Sequence, residues 1–91
     1  MTVYKNLEGH RHSQCHVEVD CKDGEVVGVV FVSYVTPVIF IKYVDGKRFV
    51  ECSGTYSPTT RKQIGWFLME YAPDLCYYDM KDIVGDGLVE M

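Results

Sequence analysis

Residues 15–34 read "CHVEVDCKDGEVVGVVFVSY", and the way this stretch pairs with itself decides the fold. Asp23-Gly24 sits between two apolar runs. That is the strongest short-range signal for a two-residue hairpin, because a type I′ turn needs positive φ at both central positions. With such a turn Lys22 faces Glu25, Cys21 faces Val26, and an unbroken register continues outward. Cys15, Val17, Val19 and Cys21 then share a face with Val26, Gly28, Val30, Val32 and Tyr34. His16, Glu18 and Asp20 share the other with Val27, Val29 and Phe31.

Asp45-Gly46 repeats the signal. Val44 faces Lys47, so Ile39, Ile41 and Tyr43 lie on one face with Arg48, Val50 and Cys52. The reverse face mixes Val38, Phe40 and Phe49 with Lys42, Lys47 and Glu51. "SYVTPV", residues 33–38, joins the hairpins, and Pro37 can only open a strand or lie at an edge. The simplest result is a four-stranded antiparallel meander.

Ser57-Pro58 then starts a helix over about 58–71, with serine as cap and proline where its missing N–H costs nothing. Thr60, Ile64, Phe67, Leu68 and Tyr71 recur at three- and four-residue steps, a stripe suited to covering a sheet. Ala72-Pro73 ends it. "DLCYYDMKDIVG", residues 74–85, is read as a short second helix capped by Asp74 and ended by Gly85. The expected class is α+β, one sheet with the main helix packed on one face. All 91 residues form one domain, with 1–12 as an N-terminal arm and 85–91 as an edge strand or tail.

A hydrophobic content of 47% beside 24% charged residues excludes a disordered chain. The net charge of −4 argues against a general nucleic-acid coat protein. Residues 46–62 nevertheless carry a balance of +3, and residues 63–91 one of −5. No run reaches the roughly 18 apolar residues of a membrane span, and the first ten residues lack a signal-peptide core. The expected place is the cytoplasm of a bacterial host cell, with the four cysteines reduced.

"GHRHSQCHVEVDC", residues 9–21, is the densest chemical stretch. Its spacing matches no standard zinc pattern, and strand parity turns Cys15 and Cys21 inward and His16 outward. His10 and His12 are the remaining metal candidates and need ligands from elsewhere. The same parity separates Cys15 from His16 as a nucleophile–base pair. No glycine-rich phosphate loop occurs. Neither catalysis nor a cofactor is expected.

Two binding surfaces remain. Ser57, Thr59, Thr60, Arg61 and Lys62 gather hydroxyls and positive charge at a helix N-terminus, which suits an anion such as the phosphate of a nucleotide or nucleic acid. Trp66, Tyr56, Tyr77 and Tyr78 are aromatics that either stack on bases or pack internally. On the outer sheet face, Val27, Val29, Phe31, Phe40 and Phe49 would form an apolar patch for a protein partner or a second copy of the chain. The chain's own arm or tail is the rival occupant.

"SYVTPVIFI" (33–41) and "GTYSPTTRKQIGWFL" (54–68) carry a resemblance. They are similar to a small domain widespread in bacteriophages and prophages, with the pattern Ser-Tyr-x-Thr-Pro-Val-Ala followed by Tyr-Ser-x-Thr-Thr-x-Lys-His. Ser33, Tyr34, Thr36, Pro37 and Val38 match the first part; Tyr56, Ser57, Thr59, Thr60 and Lys62 match the second. Ile39 and Gln63 depart from it, where alanine and histidine are usual. The resemblance implies a phage or mobile-element gene and transfers no functional residue. It points to a protein without catalysis that binds a host or phage protein, including an inhibitor of host defence. A nucleotide or nucleic-acid module at 57–62 is the alternative.

Overall fold

Both Asp-Gly turns form. Asp23 and Gly24 have φ of 54° and 81°, and Asp45 and Gly46 have 52° and 76°, the left-handed pair that a type I′ hairpin requires. The structure, a computed structural model, describes residues 1–7, 9, 14–55 and 57–91. In chain order the elements are β1 (Thr2–Lys5), β2 (Cys15–Lys22), β3 (Glu25–Ser33), β4 (Thr36–Val44), β5 (Lys47–Cys52), α1 (Pro58–Tyr71), α2 (Tyr77–Asp82) and β6 (Val89–Glu90). The sheet is antiparallel, in the order β1-β2-β3-β4-β5-β6.

The α+β class stands, but the sheet has six strands rather than four. The additions are its edges. β1 pairs with β2, setting Val3 opposite Val19. β6 is two residues long and pairs with β5, setting Val89 opposite Val50. Strands this short carry little pattern of their own, and each exists because an exposed edge offers it a ladder.

The second correction concerns parity. The first hairpin begins in the expected register, Lys22 opposite Glu25 and Cys21 opposite Val26, but then shifts to Asp20 opposite Gly28. Val27 is an extra, unpaired residue, a β-bulge. One inserted residue exchanges the two faces of everything beyond it. Val29 therefore pairs with Val19, and Phe31 with Val17. Both are interior, 2% and 0% exposed, and neither lies on the outer face.

A further shift sets Phe31 opposite Ile39 and Val32 opposite Pro37, leaving Val38 as the extra residue. A bulge accommodates proline's missing N–H, and the side chain of Val38 is fully buried. β4 and β5 keep the expected register, Val44–Lys47 through Ile39–Cys52.

α1 spans the expected residues. The Ser57 hydroxyl accepts the Thr60 N–H, Pro58 occupies the first turn, and the Ala72 N–H closes on the Leu68 carbonyl at 2.8 Å. Ile64, Phe67 and Leu68 enter the core with Val17, Val29, Phe31, Ile39, Ile41 and Val50. Phe31 and Phe67 stack with ring centres 5.0 Å apart. α2 is capped at Cys76 rather than Asp74, its N–H donating to the Asp79 carboxylate at 2.8 Å, and it contributes Met80 to the same core. No helix among the described residues is long and apolar enough to cross a membrane.

Asp74 instead holds the C-terminus. Its carboxylate takes both terminal nitrogens of Arg48, whose Nε donates to the Met91 carbonyl at 2.9 Å. The Met91 N–H returns to the Arg48 carbonyl. The hydrogen bonds from Arg48 hold the Asp74 carboxyl below its ordinary value. A lowered folded-state pKa adds stability above the unfolded value, and that stability is lost as pH falls through the folded one.

Two outcomes follow. Phe31→Ala should cost about 3–5 kcal/mol in urea unfolding, whereas Phe40→Ala, on the outer face, should cost about 1 kcal/mol; equal costs would contradict the bulged register. Asp74→Asn should lower the amide-exchange protection of Met91 near neutral pH to the level that the wild type shows only in acid, each compared with the unfolded-chain rate at the same pH. Unchanged exchange would show that the clamp does not hold β6.

Candidate functional site

Two surfaces emerge, on opposite layers of the molecule. The first is the sheet face away from the helices. Register sets Glu18, Val30, Phe40 and Glu51 in one row across the strands, and Asp20, Gly28, Lys42, Phe49 and Glu90 in the next. Val30, Phe40 and Phe49 are half-buried, with charged side chains around them. A shallow hollow of about 350 Å³ opens here, with Val27, Val30, Phe40 and Leu88 among its walls. Of the five residues expected to form this patch, Val27, Phe40 and Phe49 are partly exposed, while Val29 and Phe31 are core.

The second surface is a cleft of about 380 Å³ where the β3–β4 turn meets the start of α1. Tyr34 and Gln14 line one side; Pro58, Thr59, Lys62 and Trp66, from α1, line the other, and Gln63 lies between them. Tyr34 holds a φ of 57°, a costly conformation for a bulky residue and one associated with functional sites. Its N–H donates to the Gln14 carbonyl at 2.6 Å, tying that residue to the turn.

Beneath the cleft runs a buried polar network. The Ser33 hydroxyl donates to Gln63 Oε1 at 2.6 Å and lies 3.3 Å from the Thr60 hydroxyl, which lies 3.3 Å from that of Ser57. Ser33, Thr60 and Gln63 are 3%, 4% and 2% exposed. Residues 33–38 and 57–62, distant in sequence, are joined here.

The expected anion set does not converge. Ser57 caps α1 and Thr60 is buried in the network. Arg61 turns toward α2, its guanidinium 4.5 Å from the Tyr77 ring centre and donating to the Tyr78 hydroxyl at 3.0 Å. Only Thr59 and Lys62 face the cleft. Consecutive helical residues point about 100° apart, so a run of four cannot share one target. Gln63 and Gln14 escaped sequence reading as cleft residues. An amide in a helical stripe looks like any polar residue until its burial is known.

His10 and His12 lie outside the described residues, as does Tyr56. His16 is held in place: its ring stacks on Tyr4 at 3.9 Å between centres, Nδ1 meets the Tyr4 hydroxyl at 2.9 Å, and Nε2 meets Glu18 at 3.1 Å. Among the described residues no three His, Cys, Asp or Glu side chains are grouped to hold a metal ion. Cys15 and Cys52 are buried, and burial pushes both thiols above their ordinary pKa. The Cys52 thiol also donates to the Gly54 carbonyl at 3.4 Å. A thiol so placed is a poor nucleophile.

Residues 2–82 match a family of unknown function, DUF8033. The chain belongs to that family. The match runs from the first residue of β1 to the last of α2, so the DUF8033 region contains the whole cleft and the centre of the outer sheet face. Comparison with curated proteins and with solved structures returned no match.

The thiols offer a direct check on these burials. Iodoacetamide at about pH 8 should label exposed Cys76 quickly and reach Cys15 and Cys52 only on unfolding. Peptide mass spectrometry reads the order, and rapid labelling of Cys15 in the folded protein would contradict it.

Proposed function

We propose that this DUF8033 protein is a small binding protein of phage or mobile-element type, acting without catalysis in the cytoplasm of a bacterial host cell. Its partner is a host or phage protein, and inhibition of a host defence system is the outcome that the resemblance suggests.

The observation that carries this reading is the half-exposed apolar centre of the outer sheet face among the described residues. Both helices contribute their apolar residues to the same core, leaving Val30, Phe40 and Phe49 half-exposed within a ring of charged side chains. An apolar centre with a polar rim is how protein interfaces are built. Glu18, Asp20, Glu51 and Glu90 outweigh Lys42 and Lys47 on this face, which favours a partner with a basic rim. A second copy of this chain is the other occupant to test. The alternative reading, a nucleotide or nucleic-acid module on residues 57–62, draws less support because Arg61 points toward Tyr77 and Tyr78.

The test uses Phe40→Glu combined with Phe49→Glu. Wild-type protein should capture one stoichiometric partner from host lysate, and the double variant should capture none while melting at a similar temperature. Capture unaffected by both substitutions would overturn the assignment to this face. A dimer in sedimentation that the double variant dissolves would replace the foreign partner with a second copy.

A further inference from the structure

The outer sheet face holds its charges in a definite order. One row runs Glu18 on β2, Val30 on β3, Phe40 on β4 and Glu51 on β5; the next runs Asp20, Gly28, Lys42, Phe49 and Glu90. Carboxylates therefore stand at both margins, on β2 and on β5–β6, with the apolar side chains between them. Gly28 adds no side chain in the middle, between Asp20 and Lys42. The hollow of about 350 Å³ reaches both of these residues as well as Val27, Val30, Phe40 and Glu51.

These charges favour a cationic partner. Glu51 and Glu90 make no ion pair among the described residues. Glu18 lies 3.1 Å from His16 Nε2, and Asp20 lies 3.7 Å from the N-terminal amine, yet their side chains stay 40% and 58% exposed. Against four carboxylates the two rows hold Lys42; Lys22 and Lys47 stand one row nearer the hairpin tips. A nucleic acid would be repelled here, and two copies placed face to face would set like charges on like.

The dimensions select the shape of the partner. Neighbouring strands are about 4.8 Å apart, so the three intervals from Glu18 to Glu51 span about 14 Å. An α-helix with its side chains is about 10–12 Å across and fits between those margins, along the strands. Glu18 and Asp20, two residues apart on one strand, are separated by about 6.7 Å, and helical residues four apart rise about 6.0 Å. Lysines or arginines at i and i+4 on one flank thus reach both carboxylates, while the other flank reaches Glu51 and Glu90. An extended segment sets its alternate residues along a single line and cannot serve both margins. Resting on the protein-partner reading above, we infer that this face seats a basic amphipathic helix of the partner, its apolar stripe over Val30, Phe40 and Phe49 and its cationic flanks on the two acidic margins.

The probe is a fluorescein-labelled peptide of about 18 leucines and lysines, with leucine at i, i+3, i+4 and i+7 and lysine on both flanks. One comparison peptide has the same composition in strict alternation; another has glutamate in place of lysine. Anisotropy titration of the intact protein should saturate with the helical peptide, weaken with salt, and give about tenfold weaker binding for both comparison peptides. Phe40→Glu with Phe49→Glu should weaken the helical peptide at least about tenfold although it adds negative charge, whereas mere ionic attraction would tighten it. Glu51→Lys with Glu90→Lys should weaken the basic peptide about tenfold and favour the acidic one, a reversal that misfolding would not produce. Equal binding of the helical and alternating peptides, tighter binding by the phenylalanine variant, or no saturation up to about 1 mM would overturn the inference. So would a dimer in sedimentation that the helical peptide fails to dissociate. A lysate partner lost on Phe40→Glu with Phe49→Glu, beside no response to the helical peptide, would remove the helix and leave the protein-partner reading standing. Peptide binding as expected without a lysate partner would support the helix seat and count against the host partner.

Discussion

The unpaired residue Val27 determines which side of the sheet becomes the interior. A strand alternates its side chains with a period of two, so one extra residue turns the remainder of β3 over. Val29 and Phe31 are thereby brought onto the face of Val17, Val19, Ile39 and Ile41. There the Phe31 ring meets Phe67 of α1. Without the bulge, α1 would rest on Val30 and Val32, smaller side chains that leave a ring-sized gap under the helix. Close packing does not tolerate such a gap cheaply. The same inversion turns Val30 outward beside Phe40 and Phe49, and so completes the outer surface as a by-product of filling the inner one.

The rest of the architecture follows from edges and ties. β1 and β6 cap a sheet whose central strands would otherwise present unpaired backbone. Arg48 fastens the last strand by gripping Asp74 and the Met91 carbonyl together. On the helix side, Ser33 bonds Gln63 and lies beside Thr60, so the start of α1 is tied to the β3–β4 turn. That tie is polar and buried, a costly arrangement unless its members are satisfied. It joins the two segments, 33–38 and 57–63, whose residues line the cleft.

Local signals made much of this readable. The two Asp-Gly turns, the β4–β5 register and the limits of α1 each rest on short-range chemistry: positive φ at the turn, alternation after it, a serine cap, a proline stop. The parity of β3 was not readable, because "VVGVVFV" is apolar at both parities and alternation has nothing to distinguish. β1 was missed, and β6 was left open between edge strand and tail, for another reason. A two- or four-residue strand is stable only when a neighbour supplies the ladder. The candidate site was half legible: Thr59, Lys62 and Trp66 stood out as residue types, yet which helical residues share a target depends on where the helix lies against the sheet.

What the sequence determined by itself was therefore the central elements, β2 to β5 and α1, and the two Asp-Gly turns, since these depend on residues within a few positions of one another. Tertiary structure decided the inside and outside of β3, the division of residues 59–62 among separate neighbours, and the burial of Gln63. Those outcomes turn on the volume of Phe67, the path of α1 and the hydroxyl of Ser33, all of them distant along the chain. Packing chooses among locally equivalent arrangements because only one of them fills the space beneath the helix and satisfies the polar groups enclosed there.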